Sequence, residues 1–260
     1  MVNPLILVTN DDGITSPGIR ILISQMNRLG DVVVVAPDSP QSGMSHAITI
    51  SDSLRCIPIS IDSGPQKEYS CSGTPADCIK IGVHEILDKK PDMIVSGVNH
   101  GSNASVNVLY SGTMAAAIEG ALQGVPSIGF SLLDYSWDAD FSEAQNYIYK
   151  IASMVLKKGT PNGVCLNVNI PKISDQKYKG IKVCRQTIGK WMEKFDKRLD
   201  PNGKSYYWMT GEFEDLDGSD DTDIWALNEN HVTVVPIQYD LTSHKSIIAR
   251  LDCIKKSSLC

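Results

Sequence analysis

Short unbroken apolar runs alternate with amphipathic stretches along the first two thirds of this chain. Leu5-Ile6-Leu7-Val8 is the first run, and Val32-Val33-Val34-Val35-Ala36, rich in β-branched residues, is the second. Between them the spacing of Ile19, Leu22, Ile23, Met26 and Leu29 predicts a helix over 18–29. The alternation continues with a helix over 75–87, a strand over 92–96, a small-residue helix over 112–122 and a strand over 127–131. A helix over 142–156 and a strand over 164–170 complete it. Continuous apolar strands separated by helices indicate βαβ units and a mostly parallel sheet covered on both faces.

Beyond about residue 180 the pattern changes. Residues 185–223 carry Trp191, Phe195, Tyr206, Tyr207, Trp208 and Phe213 among many charges, which predicts an irregular or hairpin-bearing excursion from the sheet. The stretch 212–223 holds seven acidic residues and no basic one, so it is either a second metal site or a solvated face. A strand over 231–237 returns to the sheet. The expected layout is a single α/β domain over 1–260, with a core at about 1–180 and 228–250 and the excursion at about 181–227.

Composition narrows the class. With 260 residues and 42% hydrophobic side chains, the chain can bury a sizeable core. A net charge of −6 argues against binding a nucleic-acid polymer, which depends on neutralising phosphates. No window of roughly 18 apolar residues offers a membrane span, and the N-terminus lacks the basic start and long apolar run of a secretory signal. The seven cysteines, Cys56, Cys71, Cys78, Cys165, Cys184, Cys253 and Cys260, form no C-x-x-C pair. They are expected as reduced thiols of a cytoplasmic protein, most of them acting as small buried apolar groups.

In a doubly wound sheet, ligands bind beyond the carboxyl ends of the strands. The predicted strand ends lead into Thr9-Asn10-Asp11-Asp12-Gly13, into 37–46 and into 97–103, all polar and glycine-bearing. Asp11 and Asp12 are adjacent carboxylates that repel one another unless a cation intervenes. Oxygen donors without cysteine or paired histidine suit Mg²⁺, Mn²⁺ or a similar hard ion. The alternative is an Asp-Gly turn in which Asp12 caps the following helix. Ser111, Gly112 and Thr113 open the small-residue helix, where free N–H groups and hydroxyls form either an anion pocket or an ordinary cap. His46 and His100 lie in the same loops, either as general acids or as hydrogen-bonded loop side chains. There is no P-loop, Gly43-Met44-Ser45-His46-Ala47 misses the G-x-S-x-G elbow, and Gly13 stands where an aspartyl-phosphatase carries its second Asp. Attack by water is therefore expected in place of a phospho-aspartate.

Taken in order, Val8-Thr9-Asn10-Asp11-Asp12-Gly13-Ile14, Val35-Ala36-Pro37-Asp38 with Ser42-Gly43 and Ser45-His46, Ser72-Gly73-Thr74-Pro75-Ala76-Asp77, Ser96-Gly97-Val98-Asn99-His100-Gly101-Ser102-Asn103 and Tyr110-Ser111-Gly112-Thr113 closely resemble the stationary-phase survival protein SurE family of 5′-nucleotidases. The resemblance continues through Asp200-Pro201-Asn202-Gly203, Tyr206-Tyr207-Trp208, Thr222-Asp223 and Val234-Val235-Pro236-Ile237, and so spans nearly the whole chain. It implies a Rossmann-like core and one divalent ion per subunit (Mg²⁺, Mn²⁺ or Co²⁺), held by Asp11, Asp12, Ser42 and Asn99. It implies hydrolysis of nucleoside 5′-monophosphates, with 3′-nucleotides and short polyphosphate as further substrates in some members.

On that basis Asn10, Asn103, Ser111, Gly112 and Thr113 are expected to cradle phosphate. Asp11, Asp12, Asn103 and Ser111 are the expected catalytic residues, with Asp11 or Asp12 moving a proton. A homodimer or homotetramer, built partly by exchange of C-terminal elements including the excursion, is also implied. Gln41 stands where many members have Arg, which bears on phosphate affinity, and Met114 replaces a usual Val. Two rival classes are a non-catalytic nucleotide-binding module and a hydrolase of an N-acyl sugar or ester.

Overall fold

In the computed structural model, which describes residues 3–172, 177–244 and 246–247, a nine-stranded sheet organises the chain. Its first half is β1 (Leu5–Thr9), α1 (Pro17–Met26), β2 (Asp31–Pro37), β3 (Cys56–Ile59), β4 (Lys67–Cys71), α2 (Pro75–Ile81) and β5 (Met93–His100). There follow α3 (Gly112–Leu122), β6 (Ser127–Leu132), α4 (Ala144–Lys158), β7 (Val164–Ile170) and β8 (Ile181–Val183). Then come β9 (Gly189–Leu199), β10 (Ser205–Asp215), α5 (Asp223–Asn228) and β11 (Val232–Gln238). The strand order is β3-β4-β2-β1-β5-β6-β7-β11-β8. The six strands from β4 to β7 run parallel, and antiparallel pairs close each flank, β3 on β4 and β11 on β7.

The alternating side-chain directions of each strand build two cores. Ile6, Val8, Val34 and Val95 face one side, where Ile19 and Leu22 of α1 and Ile151 and Val155 of α4 cover them. Leu7, Val33, Val35 and Ile94 face the other, under Ile79 of α2 and Ala116 of α3. A strand buried on both faces carries no polar position, so these segments read as unbroken apolar runs.

The expected sheet is present, with differences at its edges. The helix expected over 75–87 stops at Ile81 and continues as a π-helical turn over Gly82–Ile86. Strands β3, β4 and β8 and helix α5 were not evident from periodicity. β8 and α5 pack on β11, so the excursion from the sheet is the β9–β10 hairpin alone. Its two strands of 11 residues pair only with each other. The acidic stretch 212–223 is for the most part the expected solvated face, with Glu212, Glu214, Asp215, Asp220 and Asp221 exposed, and its C-terminal end is held by local contacts. Arg185 binds Asp217 through both guanidinium nitrogens and Asp221 through Nε at 2.9 Å, while buried Asp223 accepts from Thr187 and from the Ser105 N–H. Cys253 and Cys260 lie outside the described residues.

Candidate active site

Chain order turns back on itself between β1 and β5: the first strands run outward through β2 and β4, and β5 returns to the other side of β1. The carboxyl ends of β1, β2 and β5 therefore open onto one crevice at the switch point, the place where such sheets bind ligands. Three loops and one helix end meet there.

The loop after β1 is tied down by Asn10. This buried residue donates both amide hydrogens, to the Gly13 carbonyl and to Ser16 Oγ, each at 2.8 Å. Its donors thus hold the loop and are not directed at a ligand. Gly13 has φ +93, a left-handed turn that favours glycine. Asp11, next in line, is only 3% exposed and accepts from the Thr113 hydroxyl at 2.5 Å. A Cβ on Gly112 would stand 2.8 Å from that of Asp11, so glycine is what lets the N-terminus of α3 approach so closely. Burial, then the adjacent Asp12, push the Asp11 carboxyl up to about 6, and the Thr113 hydrogen bonds only partly offset them.

Asp12 does not cap α1; Ser16 occupies that position. Its Oδ2 accepts the His100 backbone N–H at 3.2 Å and lies 3.0 Å from His100 Nδ1. The ring is stacked on Trp137 at 5.8 Å and meets Phe141 edge-on at 5.4 Å, so its orientation is fixed. Asn99 donates Nδ2 to the Gly101 carbonyl at 2.8 Å, which leaves its Oδ1 as a hard oxygen donor. Ser42 lies exposed in a turn with Gly43 (φ +72), and the preceding residue, Gln41, donates its N–H to the Asp11 carbonyl at 2.7 Å. The structure thus joins the Asp11, Asp12, Asn99 and Ser42 segments by direct bonds between loops and at one sheet edge.

Ser111 is the N-cap of α3, its hydroxyl accepting the Met114 N–H at 3.0 Å. The cap is thus present, at the helix start that also carries Gly112 and Thr113. Asn103 is buried in a carboxamide network: its Nδ2 donates to Ser131 Oγ, its N–H to Asn169 Oδ1, and its carbonyl accepts from Asn167. Ser131, Asn167 and Asn169 escaped the sequence reading. The available hint was two asparagines, two positions apart on one face of an otherwise apolar strand.

Glu119 was also missed. It is 2% exposed, and its oxygens accept from Lys80 at 2.8 Å and meet His46 Nε2 at 3.0 Å. Burial raises its pKa, but the His46, Lys80 and Gln123 hydrogen bonds outweigh that and hold the carboxyl at about 2. A depressed folded pKa contributes stability above the unfolded value, lost as pH falls through the folded one. The melting-temperature gap between wild type and Glu119→Gln is therefore expected to be widest near pH 6 and to close between about pH 4.5 and 2. Thermal melts across that range check it; a gap independent of pH would contradict the paired carboxylate.

With this geometry in place, likeness to known proteins is informative. The family model described as Survival protein SurE matches residues 6–193.

The chain belongs to the SurE family.

It is 62% identical over 245 residues to the 5′-nucleotidase SurE of Christiangramia forsetii, covering 94% of each chain. It is 60% identical over 249 residues to that of Flavobacterium psychrophilum, covering 96% of this chain and 97% of the relative. The crystal structure of the SurE protein from Aquifex aeolicus superimposes with a TM-score of 0.82 at 39% identity, covering 96% of this chain and 100% of that one. The SurE α/β fold is thus shared across the sheet, and the crevice described above lies within the matched residues. Among the described residues no helix is long and apolar enough to cross a membrane.

Proposed function

We propose that the chain is a metal-dependent phosphatase that hydrolyses nucleoside 5′-monophosphates to nucleoside and phosphate, with 3′-nucleotides and short polyphosphate as further substrates. The observation that carries this reading is the pair Asp11 and Asp12, buried and half-buried at the switch point, with Asp11 against the N-terminus of α3. An ordinary core does not keep two adjacent carboxylates there uncompensated. The donor set of Asp11, Asp12, Ser42 and Asn99 is all oxygen, which fits one Mg²⁺, Mn²⁺ or Co²⁺ per subunit. When bound, such an ion supplies a lowered water pKa and neutralisation of phosphoryl charge.

The chain's own residues do the rest. Thr113 and His100 hold the two carboxylates in fixed orientations. The Ser111 hydroxyl and the free N–H groups at the start of α3 offer hydrogen bonds and a positive helix end to phosphoryl oxygens. A groove of about 610 Å³, bordered by Ser111 and lined by Leu109, Ile118 and Tyr239, gives an apolar resting place for the nucleoside beside that phosphate end.

The reading also includes a single domain and a cytoplasmic setting, which the unpaired Cys56, Cys71, Cys78, Cys165 and Cys184 support. It further includes a homodimer or homotetramer built in part through the hairpin. That hairpin exposes Phe195, Tyr207, Trp208 and Met209.

The deciding assay measures phosphate release from AMP, GMP, 3′-nucleotides and short polyphosphate with Mg²⁺, Mn²⁺ and Co²⁺ in turn. Activity is expected to vanish on thorough chelation and to return with the ion. Nucleotide binding without phosphate release would leave a binding module, and ester or amide cleavage without it a different hydrolase. Ser111→Ala is expected to cost about 0.5–2 kcal/mol of stability through the lost cap. It should also lower kcat/KM roughly 10- to 100-fold, the range for a hydrogen bond to a charged group. A melting shift with unchanged kinetics would leave Ser111 as a cap alone.

A further inference from the structure

Three thiols stand in line at the sheet edge remote from β7. Cys56 opens the edge strand β3 and is directly opposite Cys71, the last residue of β4, while Cys78 lies in the first turns of α2. Cys56 and Cys71 are register partners, and the Cys71 thiol influences the ionisation of both Cys56 and Cys78. Cys71 and Cys78 are fully buried, whereas Cys56 is partly exposed.

The pairing parity of the two strands is also informative. The Ser72 N–H donates to the Arg55 carbonyl at 2.9 Å, so residues 55 and 72 form a hydrogen-bonded pair and the next pair, Cys56 and Cys71, a non-hydrogen-bonded one. Pro58, which has no N–H to give, falls at the next position of the same parity, opposite Tyr69. In non-hydrogen-bonded antiparallel pairs the Cα atoms approach to about 4.5 Å, and a disulfide spans about 4.4–6.8 Å. Both side chains point to the same face.

We propose that Cys56 and Cys71 are an oxidisable cross-strand pair that hydrogen peroxide converts to a disulfide. The Cys71 sulfur, as thiolate, attacks one peroxide oxygen; the O–O bond breaks, hydroxide leaves and is protonated, and Cys71 becomes a sulfenic acid. The Cys56 sulfur then attacks the Cys71 sulfur, the S–O bond breaks, and the departing hydroxide takes the Cys56 proton as water. Two thiols and one peroxide yield one disulfide and two waters, the sulfurs supplying both electrons. Cys71 is the thiolate of the row because the Cys78 S–H, and secondarily the Gly73 N–H, hydrogen-bond its sulfur; these outweigh burial and bring it to about 7. Burial, with Cys71 alongside, pushes Cys56 up to about 11, which keeps it a thiol until the sulfenic acid forms.

The test treats the full-length protein with hydrogen peroxide, alkylates the remaining thiols and maps the digest by mass spectrometry. A linked peptide joining Cys56 to Cys71 is expected, lighter by two hydrogens and reopened by a dithiol reductant, with Cys165 and Cys184 as references for general oxidation. In Cys56→Ser, a substitution at a partly exposed strand end, Cys71 is expected to persist as a sulfenic acid captured by dimedone. The proposal is overturned if both thiols stay alkylatable, if Cys71 links to Cys78 instead, or if Cys56→Ser yields no dimedone adduct at Cys71.

Discussion

Asp11→Asn is expected to lower phosphate release by about 10²-fold or more, in line with removing a group on which transition-state charge depends, while raising the stability of the metal-free protein. The second half follows from the site's electrostatics. Burial, and then Asp12, push the Asp11 carboxyl up from its ordinary value to about 6 in the fold by disfavouring its charge. A raised acid pKa means that ionisation costs stability, with the cost growing as pH rises from about 4 and complete above about 6.

Asparagine removes that charge, keeps the volume and still accepts the Thr113 hydroxyl. The metal-free variant should therefore be more stable than wild type at pH 8 by roughly 1–3 kcal/mol, and melt correspondingly higher, and the two should converge near pH 4. Saturating Mn²⁺ should reverse the ranking, because the wild type gains binding energy that the variant has largely lost. Melts with and without the ion, beside a phosphate-release assay, test both halves. Full turnover in the variant would remove Asp11 from the site.

Replacing residues 189–215 with a short linker is expected to reduce the proposed homo-oligomer to a smaller soluble species, with at least a halving of mass by light scattering. The physical reason is that β9 and β10 share a ladder only with one another, while most of their large side chains meet no core of their own chain. Trp191 and Phe213, ring centroids 6.0 Å apart, and the Trp191–Asn107 bond of 2.8 Å anchor only the root of the hairpin. Phe195, Tyr207, Trp208 and Met209 extend beyond it, exposed. Aromatics displayed in this way are the usual content of a subunit contact. The main sheet makes its ladder without the hairpin and should survive its loss. A monomeric wild type would end the proposal.

How much of this was legible beforehand depended on where the determinants lie. α3 and β7 begin and end where the pattern places them, because their apolar runs are bounded by Ser111 and Gly163. β3 was hidden by Pro58 within four residues, and β4 by the charged Lys67 and Glu68 of a strand near the sheet edge. The hairpin strands lack one-sided burial, so period-two alternation had nothing to report. Asp11 and Asp12 were singled out because strand ends can be read locally, whereas Ser42 and Asn99 were named only through the family resemblance. The partners that orient the two carboxylates, Thr113 and His100, and the Glu119 clasp on His46 depend on tertiary contact, and no local pattern encodes those.

The switch-point arrangement also dictates when the crevice can exist. Asp11 is separated from Thr113 by 102 residues, and Asp12 from His100 by 88. On the ribosome, an emerging chain presents its two acids long before their partners have been synthesised. β1 and β2 can pair early, but the pocket's electrostatics mature only after β5 slips in beside β1 and α3 follows. A nascent chain arrested before residue 113 would therefore carry the acidic turn and no competent cradle, which makes Asp11 a natural reporter of when synthesis has progressed far enough for the crevice to close.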